Sequence, residues 1–197
     1  LAAVVPKKKF AELSGAIAGD VLIADTERDV YATDASLYRV RPEAVVLPRT
    51  AFDIVSTVLF ARANSIAVTM RGAGSSTAGQ AVGSGIIIDT TKYMNKVVAV
   101  DPAAGYVVTE PGIAFDTLNA ALAVHGVRVP CAPSSSAYAT AGGMIGNNAS
   151  GARSVKYGDT RAHTRTLSLV LSDGSPVTTA PLGIDSPEHT AGALNPS

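Results

Sequence analysis

The sequence predicts an α+β fold in two lobes. Up to residue 89, short apolar strand-like runs alternate with helical periodicity; from residue 97 onward, strands come as hairpin pairs. That order favours a βαβ lobe followed by a mostly antiparallel lobe over one doubly wound sheet. The chain has 197 residues, 47 % of them hydrophobic and 16 % charged. This suffices for one domain with a sizeable core or two small lobes.

Taken in order, residues 7–18 place Phe10, Leu13 and Ile17 on one helical face. Residues 24–41, ADTERDVYATDASLYRVR, are polar and aperiodic and read as an irregular segment. AVVL (44–47) is a short buried strand stopped by Pro48. Thr50 can cap a helix whose apolar face includes Ile54, Val55, Val58 and Leu59. Residues 66–70 form a second strand, and GIIID (85–89) a third. VVAVD and YVVTEPG, separated by residues 102–105, make a hairpin. Residues 114–124 are helical, with Gly126 suited to a left-handed cap. Residues 130–158 are rich in small residues, with one helical turn at most. TRTLSLVLSDGSPVTT reads as strand, Asp-Gly turn, strand. The expected organisation is an N-terminal helical arm over residues 1–24, a domain over 25–180, and a linker or frayed tail over 181–197.

The charge balance narrows the partners. Sixteen basic and sixteen acidic residues cancel, and the one basic run, Lys7-Lys8-Lys9, reads as a solvated helix face. No nucleic-acid partner is expected. Cys131 stands alone, which excludes a disulfide framework and fits a reducing compartment. No apolar run approaches the roughly 18 residues of a membrane span, and the start does not read as a signal peptide. The chain begins with Leu1, consistent with a piece of a longer protein.

The chemistry concentrates in RGAGSSTAGQA (71–81). A Walker A loop needs a lysine that this stretch lacks. A dinucleotide fingerprint needs a third glycine and a following helix, and here Thr77 and another strand stand instead. A third arrangement needs neither: successive backbone N–H groups in a strand-loop-strand turn converge on an anion. Gly72 and Gly74 would permit close approach and positive φ, and Ser75, Ser76 and Thr77 add hydroxyls. Arg71 supplies charge to the anion or enters a structural ion pair. The same loop also reads as a plain tight turn. A second small-residue stretch runs through Pro133, Ser134 and Ser135, through Thr140, Gly142 and Gly143, and through Asn147 to Gly151. The two stretches can embrace one long ligand or pack as a lobe junction.

Together, MRGAGSSTAGQA (70–81), PSSSAYATAGGMIGNNASGARSVKYG (133–158) and RPEAVVLPRTAFDIVSTVLFARANSIAV (41–68) resemble the FAD-binding domain of FAD-linked oxidases. These are the vanillyl-alcohol-oxidase or p-cresol-methylhydroxylase (PCMH) type. The likeness is strongest to flavin subunits of D-lactate, glycolate and D-2-hydroxyglutarate dehydrogenases, and it covers roughly residues 25–180. It implies an α+β, two-lobed PCMH-type domain around an extended FAD. Met70, Arg71, Gly72, Ala73, Gly74, Ser75 and Ser76 would hold the pyrophosphate. Pro133, Ser134, Ser135, Thr140, Gly142 and Gly143 would run beside the pyrophosphate and flavin. Asn147, Asn148, Ala149, Ser150 and Gly151 would contact the isoalloxazine or ribityl portion.

The resemblance further implies oxidation of a D-2-hydroxy acid by hydride transfer to flavin N5. The alternatives are a molybdenum hydroxylase flavin subunit, an NADPH-dependent cell-wall reductase, or a noncatalytic nucleotide-binding module. Met70 and Ala73 stand where many relatives carry proline and a third glycine. No histidine lies between Arg71 and Gln80, where covalent attachment would occur, so FAD is expected to be noncovalent. His125, His163 and His189 are scattered, so the catalytic base is unassigned and no metal site is expected. No CxxCxxC run occurs, so an iron–sulfur module or other electron acceptor is expected elsewhere in the parent. The expected location is cytoplasmic, or peripheral at the inner face of the membrane.

Overall fold

A four-stranded sheet organises the first lobe of the computed structural model, which describes residues 7–180. The expected tail at 181–197 and the side chains of Lys7, Lys8 and Lys9 lie outside the described residues. Strands β1 (Asp20–Leu22), β2 (Ala44–Leu47), β3 (Val68–Arg71) and β4 (Ile86–Asp89) stand in the order β1-β2-β4-β3. β4 is parallel to both β2 and β3, and β1 is antiparallel to β2. Every residue of β2 and β4 is buried. Unbroken Ala, Val, Ile and Leu runs suit interior parallel strands covered on both faces.

Helix α1 (Lys7–Ala16) is part of this lobe's core. Phe10 and Leu13 pack with Ala44, Val46, Ala61, Ile86 and Ile88, and the Phe10 and Phe60 rings lie 5.7 Å apart. The polar segment expected to be irregular contains a second helix, α2 (Asp25–Val30). None of its residues is buried, so it leaves no apolar periodicity to read. It is held locally instead. Glu27 Oε2 accepts from Ala24 N at 3.1 Å, and Arg28 pairs with Asp25 at 2.6 Å.

Helix α3 (Ala51–Ala63) carries the chain from β2 to β3, capped as expected by Thr50 Oγ1, which accepts from Asp53 N at 3.2 Å. Its buried face differs from expectation. Asp53, Thr57 and Ala61 point inward, Ile54, Val55 and Val58 are half-buried, and Leu59 is 46 % exposed. The polar residues are tolerated because they are satisfied. The Asp53 carboxylate accepts from Ala18 N (3.0 Å) and Arg49 N (2.8 Å), and the Thr57 hydroxyl donates to Asp53 O (2.7 Å).

The second lobe begins with the antiparallel pair β5 (Val97–Asp101) and β6 (Tyr106–Thr109). Helix α4 (Phe115–Ala123) packs Leu118 and Leu122 with Ile113 against Val97, Val100 and Val107. Two short helices follow where one turn was expected, α5 (Ala141–Asn147) and α6 (Ser154–Tyr157). The glycines of α5 weaken its propensity. Tertiary packing prevails: Met144 is buried against Phe115, Cys131 and Ala139. The last pair, β7 (Ser168–Val170) and β8 (Pro176–Thr178), closes around Asp173-Gly174 as expected, with Gly174 at φ 89°. The α+β, two-lobed reading therefore holds. Among the described residues no helix is long and apolar enough to cross a membrane.

Candidate functional site

The glycine-rich loop is the crossover between parallel strands β3 and β4, a connection usually made by a helix. Here residues 72–85 make it without one. Among the described residues, the backbone N–H groups of residues 72–77 donate to no protein acceptor. Residues 72, 74, 75 and 76 are half-buried and 73 and 77 exposed, so these donors are open to water or to a partner from outside the chain. Gly74 adopts φ 71°, which turns the loop sharply at little cost for glycine. Ser75 makes no intrachain hydrogen bond and is half-buried. Ser76 is committed to the turn, its hydroxyl accepting from Ala78 N at 3.2 Å and contacting the Gln80 side chain.

The two predicted segments meet. A Cβ on Gly72 would collide with the Thr140 hydroxyl, so the loop lies directly on the start of α5. Beside this contact runs a groove of about 450 Å³ between the lobes, lined by Ala73, Thr91, Asn95, Thr117, Tyr138 and Thr140 among others. Thr140 is buried and caps α5, accepting from Gly143 N at 3.3 Å.

The side chain of Arg71 turns one nitrogen back onto the protein's own backbone. Its Nη1 donates to Thr33 O (2.9 Å) and Ala81 O (3.0 Å), and its guanidinium lies under Gly74. It forms no ion pair among the described residues, so the structural ion-pair role gives way to a bracket of backbone carbonyls. Met70 lies on the edge strand, half exposed.

The later segment divides into open and committed groups. Ser136 N and Tyr138 N close turns on Pro133 O and Ser135 O, and the Ser134 and Ser135 hydroxyls have no partner among the described residues. Gly142 N donates to Pro111 O at 2.8 Å, and a Cβ there would meet Pro111. Gly142 thus joins α5 to its own lobe, while Gly143 N serves the Thr140 cap. Asn148 sits at φ 46°, closing α5. Its Nδ2 donates to Asp159 Oδ2 (2.7 Å), and its Oδ1 accepts from Arg161 N (2.9 Å). The Asn148 bond holds the Asp159 carboxyl below its ordinary range. Ala149 O accepts from the Thr160 hydroxyl at 2.7 Å, and Gly151 packs against Ala132 O. Asn147 and Ser150 are exposed with no side-chain bond among the described residues.

Several groups at this junction were not singled out from the sequence. Asp34 reaches Ala81 N, and Tyr31 OH donates to buried Asp89 at 3.0 Å. Burial, then the Asp89 charge, pushes the Tyr31 phenol up to about 12. Thr91 and Asn95, from the connection after β4, and Thr117, from α4, line the groove. The one visible signal, for Thr91 and Asn95, is polar residues soon after the buried IIID run.

Comparisons with known proteins identify the family and the fold. The chain is 37 % identical over 180 residues to D-2-hydroxyglutarate dehydrogenase of Escherichia coli (strain K12), covering 90 % of this chain and 18 % of that protein. It is 32 % identical over 171 residues to D-lactate dehydrogenase of Anaerostipes hadrus, covering 85 % and 35 % respectively. The chain therefore spans under a fifth of the first relative and about a third of the second. Among solved structures, an alkyldihydroxyacetonephosphate synthase superposes with a TM-score of 0.80 at 22 % identity, over 92 % of this chain and 36 % of that one. That likeness shows a shared fold. A match over residues 42–180, most of the chain, gives the assignment: the chain belongs to the FAD binding domain family.

Proposed function

We propose that this chain is the FAD domain of a dehydrogenase that oxidises a D-2-hydroxy acid, and that it holds FAD noncovalently. The observation carrying the reading is the run of N–H groups at 72–77 without protein acceptors beside the interlobe groove. A row of backbone donors suits a diphosphate, whose charge is spread over several oxygens. Ser75 adds a hydroxyl to that row. Ser134, Ser135, Asn147 and Ser150 retain free polar side chains along the same lobe for the rest of the cofactor.

Noncovalent attachment is supported by two placements. No histidine lies in the loop, and Cys131 is 1 % exposed, its sulfur 4.0 Å from the Thr160 hydroxyl. When bound, FAD supplies a two-electron acceptor. The substrate class rests on the names of the relatives, which act on D-2-hydroxyglutarate and D-lactate. Oxidation of such an acid to the 2-oxo acid removes two electrons and two protons. The buried, unpaired Cys131 supports a reducing, cytoplasmic setting.

The test is flavin titration of the purified chain, followed by acid precipitation of the loaded parent protein. Quenched flavin fluorescence and a shifted visible spectrum are expected, with all colour released to the supernatant by acid. No spectral change on adding FAD would remove the assignment; colour kept in the pellet would remove only its noncovalent part.

A further inference from the structure

The loop beside the groove is shaped from behind by residues 31–38. Asp34 accepts from Ser36 N through Oδ1 (2.9 Å) and from Ala81 N through Oδ2 (3.3 Å). Arg71 Nη1 donates to Ala81 O at 3.0 Å and Thr33 O at 2.9 Å. Asp34 thus takes the N–H of Ala81 while Arg71 takes its C=O, so this one residue is gripped on both sides. Nearer the tip, Ala35 N donates to Gly74 O at 3.0 Å. The guanidinium fills the space under Gly74, where an added Cβ would come within 2.5 Å of Nη2. The Tyr38 ring covers Gly79 in the same way, 2.5 Å from such a Cβ to Cδ2. Residues 31–38 therefore meet the loop at Gly74, Gly79 and Ala81.

A row of N–H groups pointing at one anion is an arrangement of mutually repelling dipoles. It binds well only when something else holds it in place before the anion arrives. Glycine loses more freedom on ordering than any other residue, so an unsupported loop of this composition would bind weakly. We propose that Asp34 and Arg71 are positioning residues for the cofactor loop, gripping Ala81 and the turn at Gly74 so that the amides of 72–77 stand ready for a diphosphate. The inference rests on the diphosphate reading of that loop, but neither side chain needs to touch the ligand. The charges act on the protein's own backbone.

The experiment compares the full chain with Asp34→Ala, Asp34→Asn and Arg71→Lys. FAD and ADP are titrated, and amide hydrogen exchange is followed without ligand. Asp34→Ala should weaken FAD by about tenfold or more, the scale of a hydrogen bond to a charged group. ADP, which shares the diphosphate and lacks the flavin, should weaken by the same factor. Asp34→Asn keeps the size and one acceptor and should fall between. Arg71→Lys should not substitute, because one ammonium cannot reproduce the planar fork. Exchange should quicken across 72–81 while β2 and β4 keep their protection.

Wild-type affinity and wild-type loop exchange in Asp34→Ala and Arg71→Lys would overturn the proposal. Equal loss of protection across β2 and β4 would overturn it too, by making Asp34 a residue of general stability. Should Asp34→Ala not fold, the isosteric Asp34→Asn decides by the same criteria. If the wild-type chain takes up no FAD, the functional reading fails. Loop exchange then still decides the positioning role: faster in the variants sustains it, unchanged removes it.

Discussion

Gly72 and Thr140 are in direct contact across the lobe junction, so close that a methyl group on Gly72 would overlap the threonine hydroxyl. Thr140 is at once the cap of α5 and a wall of the groove. One small residue on the loop therefore sets how near the lobes come. Gly72→Ala should cost roughly 1–3 kcal/mol, the usual scale of overpacking, and should weaken FAD binding. Thr140→Ala in the same chain removes Oγ1 and Cγ2 and leaves only its Cβ, 3.2 Å from the new methyl. The double variant should recover part of the loss, a coupling readable by thermal or denaturant unfolding. Strict additivity of the two single effects would show that the lobes do not depend on this contact.

Gly74→Val should be the more damaging loop substitution. Its φ of 71° disfavours any side chain, at roughly 1–2 kcal/mol for an L-residue. Its Cβ would also enter the space held by the Arg71 guanidinium, 2.8 Å from Cζ. The expected result is a lowered unfolding midpoint together with lost FAD binding. Shortening Arg71 to alanine in the same chain should relieve the collision and leave the backbone strain. A Gly74→Val protein as stable as wild type would contradict this account.

The turn that follows α5 should respond to acid. Asn148 donates to Asp159 Oδ2 at 2.7 Å and Ala162 N to Oδ1 at 3.3 Å, and these bonds lower the carboxyl's pKa. A depressed folded value means the contribution is present above the unfolded pKa, about 3.9, and is lost as pH falls through the folded one. The Asn148 side-chain amide resonances should therefore titrate with a midpoint below about 3.9. They should be flat in Asp159→Asn. A midpoint at or above the ordinary carboxylate value would show that the bond does not persist in solution.

Much of the architecture could be read from composition along the chain, because its signals are local. Buried AVVL and IIID runs, the Thr50 cap and the Asp173-Gly174 turn each announce themselves within a few residues. Helix α2 could not be read, since it buries nothing, and the inward face of α3 could not, since buried Asp53 depends on Ala18 and Arg49. The site divides in the same way. Glycine and serine density marked both stretches that meet at the groove. What each group does there is decided by distant partners: Thr33 and Ala81 for Arg71, Asp159 for Asn148, Pro111 for Gly142, Ala132 for Gly151. Spacing along the chain carries no record of those pairings.

This chain by itself should bind FAD without turning over a hydroxy acid. Oxidation needs a base at the hydroxyl and a cation for the carboxylate, both placed around the same carbon. No histidine, lysine, arginine or carboxylate lines the interlobe groove. Among the described residues, His125 is exposed beyond the end of α4, and His163 Nε2 lies 2.9 Å from Tyr157 O. Arg71 Nη1 donates to backbone carbonyls, and Arg71 does not line the groove. The assay mixes the chain, excess FAD, a dye acceptor and, in turn, D-2-hydroxyglutarate, D-lactate and glycolate. Dye reduction should not exceed the free-FAD control. Substrate-dependent reduction above that control would place a base within this chain, and Tyr138, the one acid-base side chain lining the groove, would be the residue to replace with phenylalanine.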